Sequence, residues 1–102
     1  MSRPEQRVVL SELAELDLAD ILQYTLQTWG LAQMNRYAEK MEGGLMLLAG
    51  NPLLGKRRDD WFAGCRCQRI EHHLVLYEVI DGQVRVARLF HERMDPIRNL
   101  EN

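Results

Sequence analysis

The sequence predicts an α+β domain in the order β-α-α-β-β-β, a helical hairpin packed on a small antiparallel sheet. Apolar residues recur at helical spacing from Ser11 to Ala49, then the rhythm changes to strand-like runs between Cys65 and His91. The length adds a bound: 102 residues, 46% hydrophobic and 27% charged, suit one small domain with a thin core. A nucleotide-binding domain joined to a substrate domain does not fit in it. The whole chain, 1–102, is therefore expected to form one domain, with residues 1–6 and 96–102 as flexible tails.

Arg7-Val8-Val9-Leu10 is short and β-branched, and reads as a first strand. Ser11 stands where an N-cap would, and Glu12, Glu15 and Asp17 complement the positive end of a helix. Leu18, Ile21, Leu22, Thr25 and Trp29, with Ala14 one turn earlier, form one stripe, and Gly30 is placed to end that helix. Met34, Tyr37, Ala38, Met41, Leu45 and Leu48 repeat the spacing from Leu31 to about Ala49. Gly43-Gly44 weakens this second helix by about 1 kcal/mol per glycine, yet Gly50-Asn51-Pro52 is the stronger stop. Residues 52–64 have no sustained period and read as a loop. Three strand runs follow, Cys65 to Glu71, Leu74 to Ile80 and Val84 to His91, with Asp81-Gly82 as the hairpin turn of the last two. The middle run is apolar on both alternations and should be a central strand covered on both faces. His72-His73 reads as a polar connection. The first strand is expected to extend the meander.

Residues 1–51 carry four basic and seven acidic side chains, a balance of −3, while residues 52–102 carry nine and eight, a balance of +1. Lys56, Arg57, Arg58, Arg66 and Arg69 face only Asp59 and Asp60 across positions 52–69. A local patch of this kind meets phosphates, an acidic partner or water; a net charge of −2 argues against a chain that reads nucleic acid by itself. No stretch approaches the roughly 18 apolar residues of a membrane span. The polar N-terminus lacks a signal-peptide core, so a cytoplasmic protein is expected.

Catalytic sets are sparse. The spacing of the glycines matches no phosphate loop, and the two serines, Ser2 and Ser11, do not suggest a triad. Cys65 and Cys67 would point to the same face of a strand and read as half-buried thiols. With His72 and His73 they form the one soft cluster, but the spacing matches no structural zinc site, and no metal or cofactor is expected. Arg66, Arg88, His91 and Glu92 could share a surface and serve RNA cleavage, as a base, an acid and cations for the phosphorane. The favoured reading is that the arginines hold carboxylates or partner contacts and that His91 satisfies a strand-end hydrogen bond. Trp61-Phe62 beside the basic loop suits docking on a larger protein, or a lid over the sheet.

Taken together, Tyr24-Thr25-Leu26-Gln27-Thr28-Trp29-Gly30, Asn51-Pro52-x-x-Gly55, Gly64-Cys65-Arg66, Tyr77-x-Val79 and Arg88-Leu89-Phe90-His91-x-x-Met94-Asp95 resemble the ParE toxins of the ParE/RelE superfamily. The likeness runs from about Leu10 to Asp95. It implies a toxin of a type II toxin-antitoxin system that inhibits DNA gyrase by docking and is neutralised by a ParD-type antitoxin. That antitoxin's acidic segment could pair with Lys56, Arg57, Arg58 and Arg66. The matched motifs add Arg88, His91, Met94 and Asp95 to the candidate partner-binding residues, with Trp61 and Arg93 beside them. The RelE-type relatives cut mRNA on the ribosome, which makes His91, Arg66 and Arg88 the alternative catalytic set, although the accompanying lysines are missing.

Overall fold

The computed structural model describes residues 8–100. A first strand, β1 (Val8–Leu10), leads into α1 (Glu12–Trp29) and α2 (Leu31–Gly50). Then come β2 (Lys56–Arg57), β3 (Arg66–Ile70), β4 (His73–Ile80), β5 (Gln83–His91) and a short helix, α3 (Pro96–Leu100). The sheet order is β1-β5-β4-β3-β2, antiparallel throughout except that β1 runs parallel to β5.

Local chemistry accounts for the helix ends. Ser11 Oγ accepts from the Ala14 N–H at 3.0 Å and donates to the Ala87 carbonyl at 2.8 Å, so one hydroxyl caps α1 and ties it to β5. Ala87 is the extra residue of a bulge where the β4–β5 register shifts. Gly30, at φ 93, is the one residue between the two helices, a conformation that favours glycine. Asp81 and Gly82, both at positive φ, close the β4–β5 hairpin as expected.

β4 lies at the middle of the sheet, and Val75, Leu76 and Tyr77 are fully buried. On one face Val75, Tyr77, Val84, Val86 and Leu89 pack against Ala14 of α1 and Met41 and Leu48 of α2. On the other, Leu76 and Phe90 pack with Cys65 beneath Trp61, Phe62 and Leu100.

Four expectations change. Residues 52–64 are not all loop, since Lys56 and Arg57 form β2. Pro96–Leu100 make a helix where a tail was expected, capped by Asp95 through the Ile97 N–H at 3.1 Å. His73 belongs to β4 itself; the preceding turn is carried by Glu71, at φ 55, and His72. Trp29, the last member of the apolar stripe of α1, is 70% exposed on the rim of a cleft. The tail at residues 1–6 and Arg7, taken as the start of the first strand, lie outside the described residues.

Candidate functional site

Three of the sequence motifs meet in one place. The buried Tyr77 hydroxyl accepts from the Gly55 N–H at 2.8 Å and donates to the Pro52 carbonyl at 2.7 Å. Arg66 Nη1 donates to the carbonyls of Gly55, at 2.8 Å, and Leu53, at 3.3 Å. A Cβ at position 55 would lie 2.6 Å from the Tyr77 oxygen, so the loop closes this tightly only around glycine. Arg66 is thus spent on holding the loop after α2, and it does not line the cleft that contains Arg88 and His91.

Beside this loop Arg57 pairs with Asp59 at 3.0 Å, and Arg58 grips both oxygens of Asp60 at 3.0 and 2.8 Å while stacking 3.9 Å above the Trp61 ring. The bond from Arg58 holds the Asp60 carboxyl below its ordinary range, and the Gly64 N–H does the same for Asp59. Lys56 makes no ion pair among the described residues. Trp61 is half-buried as a lid over Cys65, Leu76 and Phe90. Burial pushes the Cys65 thiol up to about 12 and raises Cys67 as well, so neither is a ready nucleophile. Among the described residues no three metal-ligating side chains converge.

A cleft of about 610 Å³ lies between the helical hairpin and the ends of β4 and β5. Tyr24, Trp29 and Met94 stand on it at 65%, 70% and 40% exposure, and Tyr37, His73 and His91 lie deeper. In its wall Asp17 of α1 accepts from Arg88 Nε and Nη2 at 2.8 and 3.0 Å and from the Leu89 N–H at 2.9 Å. Both side chains of this pair are mostly buried, which makes it a clamp between α1 and β5.

Tyr37 Oη accepts from the His72 N–H at 3.2 Å and shares a second hydrogen bond with His73 Nδ1, 2.5 Å away. Burial first, then the neighbouring His91, push His73 down to about 4, and its ring is neutral at ordinary pH. The His73 and His91 rings meet edge to face with centroids 5.3 Å apart. His91 Nδ1 accepts from the Arg93 N–H at 3.2 Å. Glu92 pairs with His72 Nδ1 at 2.8 Å and, more loosely, with Arg69; the His72 contact leads in holding its carboxyl low.

The sequence-derived set therefore splits. Arg88, His91 and Met94 line the cleft; Lys56, Arg57, Arg58, Trp61 and Arg66 gather around the loop and β2; Asp95 caps α3. Tyr24, Trp29, Tyr37, His73 and Asp17 were not singled out as site residues. Tyr24 and Trp29 carried a signal in hindsight, two large aromatics near the end of one helix. The roles of Asp17 and Tyr37 depend on partners 35 to 72 residues away, and His73 packs against both Tyr37 and His91.

Residues 8–96 match the family model described as "ParE toxin of type II toxin-antitoxin system, parDE". The chain is 38% identical over 93 residues to the Escherichia coli protein named Toxin ParE, an alignment covering 90% of each. It is 33% identical over 95 residues to Toxin ParE1 of Mycobacterium tuberculosis, covering 92% of this chain and 97% of the relative. Among solved structures, a chain of "Chromosomal ParDE TA system from P. aeruginosa" superimposes with a TM-score of 0.71 at 15% identity, over 82% of this chain and 92% of the other, a likeness of fold.

Proposed function

The chain belongs to the ParE toxin family of type II toxin-antitoxin systems, and from that premise we propose that it inhibits DNA gyrase by protein-protein docking and is neutralised by a ParD-type antitoxin. The observation that carries the docking reading is the use made of the candidate catalytic groups. Arg66 is bound to loop carbonyls and Arg88 to Asp17. A phosphorane-stabilising site needs cations free to meet developing charge. By contrast, Tyr24, Trp29 and Met94 offer large exposed surface around a concave floor, the anatomy of a protein-binding patch. The gyrase target would place the chain's action in the cytoplasm; among the described residues no helix is long and apolar enough to cross a membrane.

Purified chain should inhibit supercoiling by gyrase, and added antitoxin should relieve that inhibition. The alternative, RelE-like mRNA cleavage, keeps one point in its favour, a histidine pair inside the cleft. Intact gyrase activity, with ribosome-dependent mRNA cleavage lost in His91→Ala, would replace the docking reading by that one.

A further inference from the structure

The outer edge of β5 is covered in stages, and the cover stops short of the strand's end. Val84, Arg85 and Val86 pair with β1. The Val86 carbonyl then accepts from the Ser11 N–H at 2.9 Å, the Ala87 carbonyl from the Ser11 hydroxyl at 2.8 Å, and the Leu89 N–H donates to Asp17 at 2.9 Å. The Glu92 N–H donates the other way, to the His72 carbonyl at 2.9 Å, which fixes the alternation of the strand. The Leu89 carbonyl and the His91 N–H therefore turn away from β4, toward the cleft that both residues line, and neither has a partner among the described residues. Two groups so placed, one on each side of Phe90, are what a single residue of a parallel neighbour bonds, its N–H to Leu89 and its carbonyl to His91. β1 already runs parallel to this strand.

The geometry points to an extended basic segment of the target protein, laid parallel to β5 in this cleft, an inference that rests on the docking reading. Side chains alternate along such a segment. The residue beside Phe90 turns its side chain to the Phe90 face of the sheet, and the residues before and after it turn theirs toward α1, where Asp20, Tyr24 and Trp29 line the cleft. α1 holds Glu12, Glu15, Asp17 and Asp20 and no lysine or arginine. Within the cleft Arg88 is matched by Asp17, whereas Asp20 is exposed and makes no ion pair among the described residues. Asp20 and Tyr24 stand one turn apart on the same side of the helix. A carboxylate beside exposed rings suits a cation on an apolar stem, which pairs with the one and stacks on the others. Arginine does both at once, since its planar fork bonds a carboxylate while its face lies on a ring. An acidic segment would meet Asp20 with no free cation to answer it, and a nucleic-acid backbone would meet the same charge.

Hydrogen exchange on the complex with purified gyrase, read at single amides, tests the edge directly. The His91 amide should exchange at least about tenfold more slowly in the complex than in the free chain. Unchanged exchange at His91 with gyrase bound overturns the inference, and so does protection by the antitoxin with none by gyrase. The charge is tested in a supercoiling assay. Asp20→Lys should raise the concentration of chain needed for half-inhibition about tenfold or more. Glu39→Lys makes the same change in net charge at an exposed position outside the cleft, and should leave that concentration within about twofold. Equal effects of the two substitutions would reflect the field of the whole molecule and overturn the assignment of a basic segment to this cleft. If the unsubstituted chain neither binds nor inhibits gyrase, the docking reading falls and this inference with it. If it inhibits gyrase while His91 exchanges freely, docking stands and this inference alone falls.

Discussion

Two adjacent glycines in α2 should respond to alanine with opposite signs. A Cβ at Gly43 meets nothing within 4 Å, whereas one at Gly44 would lie 2.6, 2.7 and 2.9 Å from three side-chain carbons of Ile70. Those carbons include both branches from the Ile70 Cβ, so rotating the side chain cannot clear them, and a buried β-branched residue on a strand has few other rotamers. Ordinary contact begins near 3.4 Å, so α2 must lift from β3 by about 0.8 Å, loosening Met41 and Leu48 beneath it. Overpacking of this severity costs about 2–3 kcal/mol. Helix propensity returns about 1 kcal/mol at either position. Gly43→Ala should therefore gain up to about 1 kcal/mol, and Gly44→Ala should lose about 1–2 kcal/mol, or about 4–8 °C in Tm for each kcal/mol. Urea titration of both variants, repeated on Ile70→Ala, completes the cycle; without the clashing carbons Gly44→Ala should stabilise as Gly43→Ala does. Equal stabilisation by the two substitutions in the unaltered chain would refute the close packing of α2 on β3.

Tyr77→Phe strands the buried Gly55 N–H and should cost about 1–3 kcal/mol in the same titration; a neutral result would mean that water replaces the hydroxyl. Asp17→Asn leaves Arg88 mostly buried without its carboxylate, for a loss of about 2 kcal/mol by denaturant melting, and no loss would show that the clamp is idle. His73 titrates at about 4 in the folded chain against 6.5 unfolded, so only the unfolded state gains a proton as pH falls through that window. Stability should drop by about 1–2 kcal/mol between pH 6.5 and 4, after allowance for screening at a partly exposed ring. His73→Phe should flatten that slope, which thermal melts across the pH range would reveal. Trp29→Ala should leave Tm unchanged, the side chain being 70% exposed, while weakening gyrase inhibition about tenfold or more; undiminished inhibition would remove the cleft rim from the docking surface.

The helical half was legible because its determinants are local. A capping serine, one apolar stripe and a glycine at positive φ each act within a few residues, and so does the Asp81-Gly82 turn. What escaped was non-local. Whether β1 joins the sheet parallel or antiparallel is decided by where the hairpin returns the chain, and β1 meets β5 across most of the sequence. β2 is two residues long and has no alternation to display. Trp29 kept the period of the stripe, yet it is 70% exposed, because periodicity alone does not report what covers a helix. The site is non-local in the same way: that Arg88 would hold a carboxylate was one reading of the sequence, but which one, Asp17, 71 residues earlier, appears only in the fold.

The motifs that make the family resemblance specific turn out to describe architecture more than activity. Asn51-Pro52-x-x-Gly55, Gly64-Cys65-Arg66 and Tyr77-x-Val79 are three sides of one loop anchorage, closed by the Tyr77 hydroxyl and the Arg66 guanidinium. In the closing motif Arg88 clamps α1, Leu89 and Phe90 fill the two faces of the core, and Asp95 caps α3. A match to such residues transmits a fold reliably because each is tied to another part of the chain. It transmits a target less well, since a docking surface needs side chains with no internal partner. Tyr24, Trp29 and Met94 around the cleft, and Leu47 and Leu54 beside β3, are of that kind. Substitutions that separate gyrase inhibition from antitoxin binding are therefore expected at these exposed positions. Changes at Arg66, Tyr77 or Arg88 should impair both activities together, through loss of the folded state.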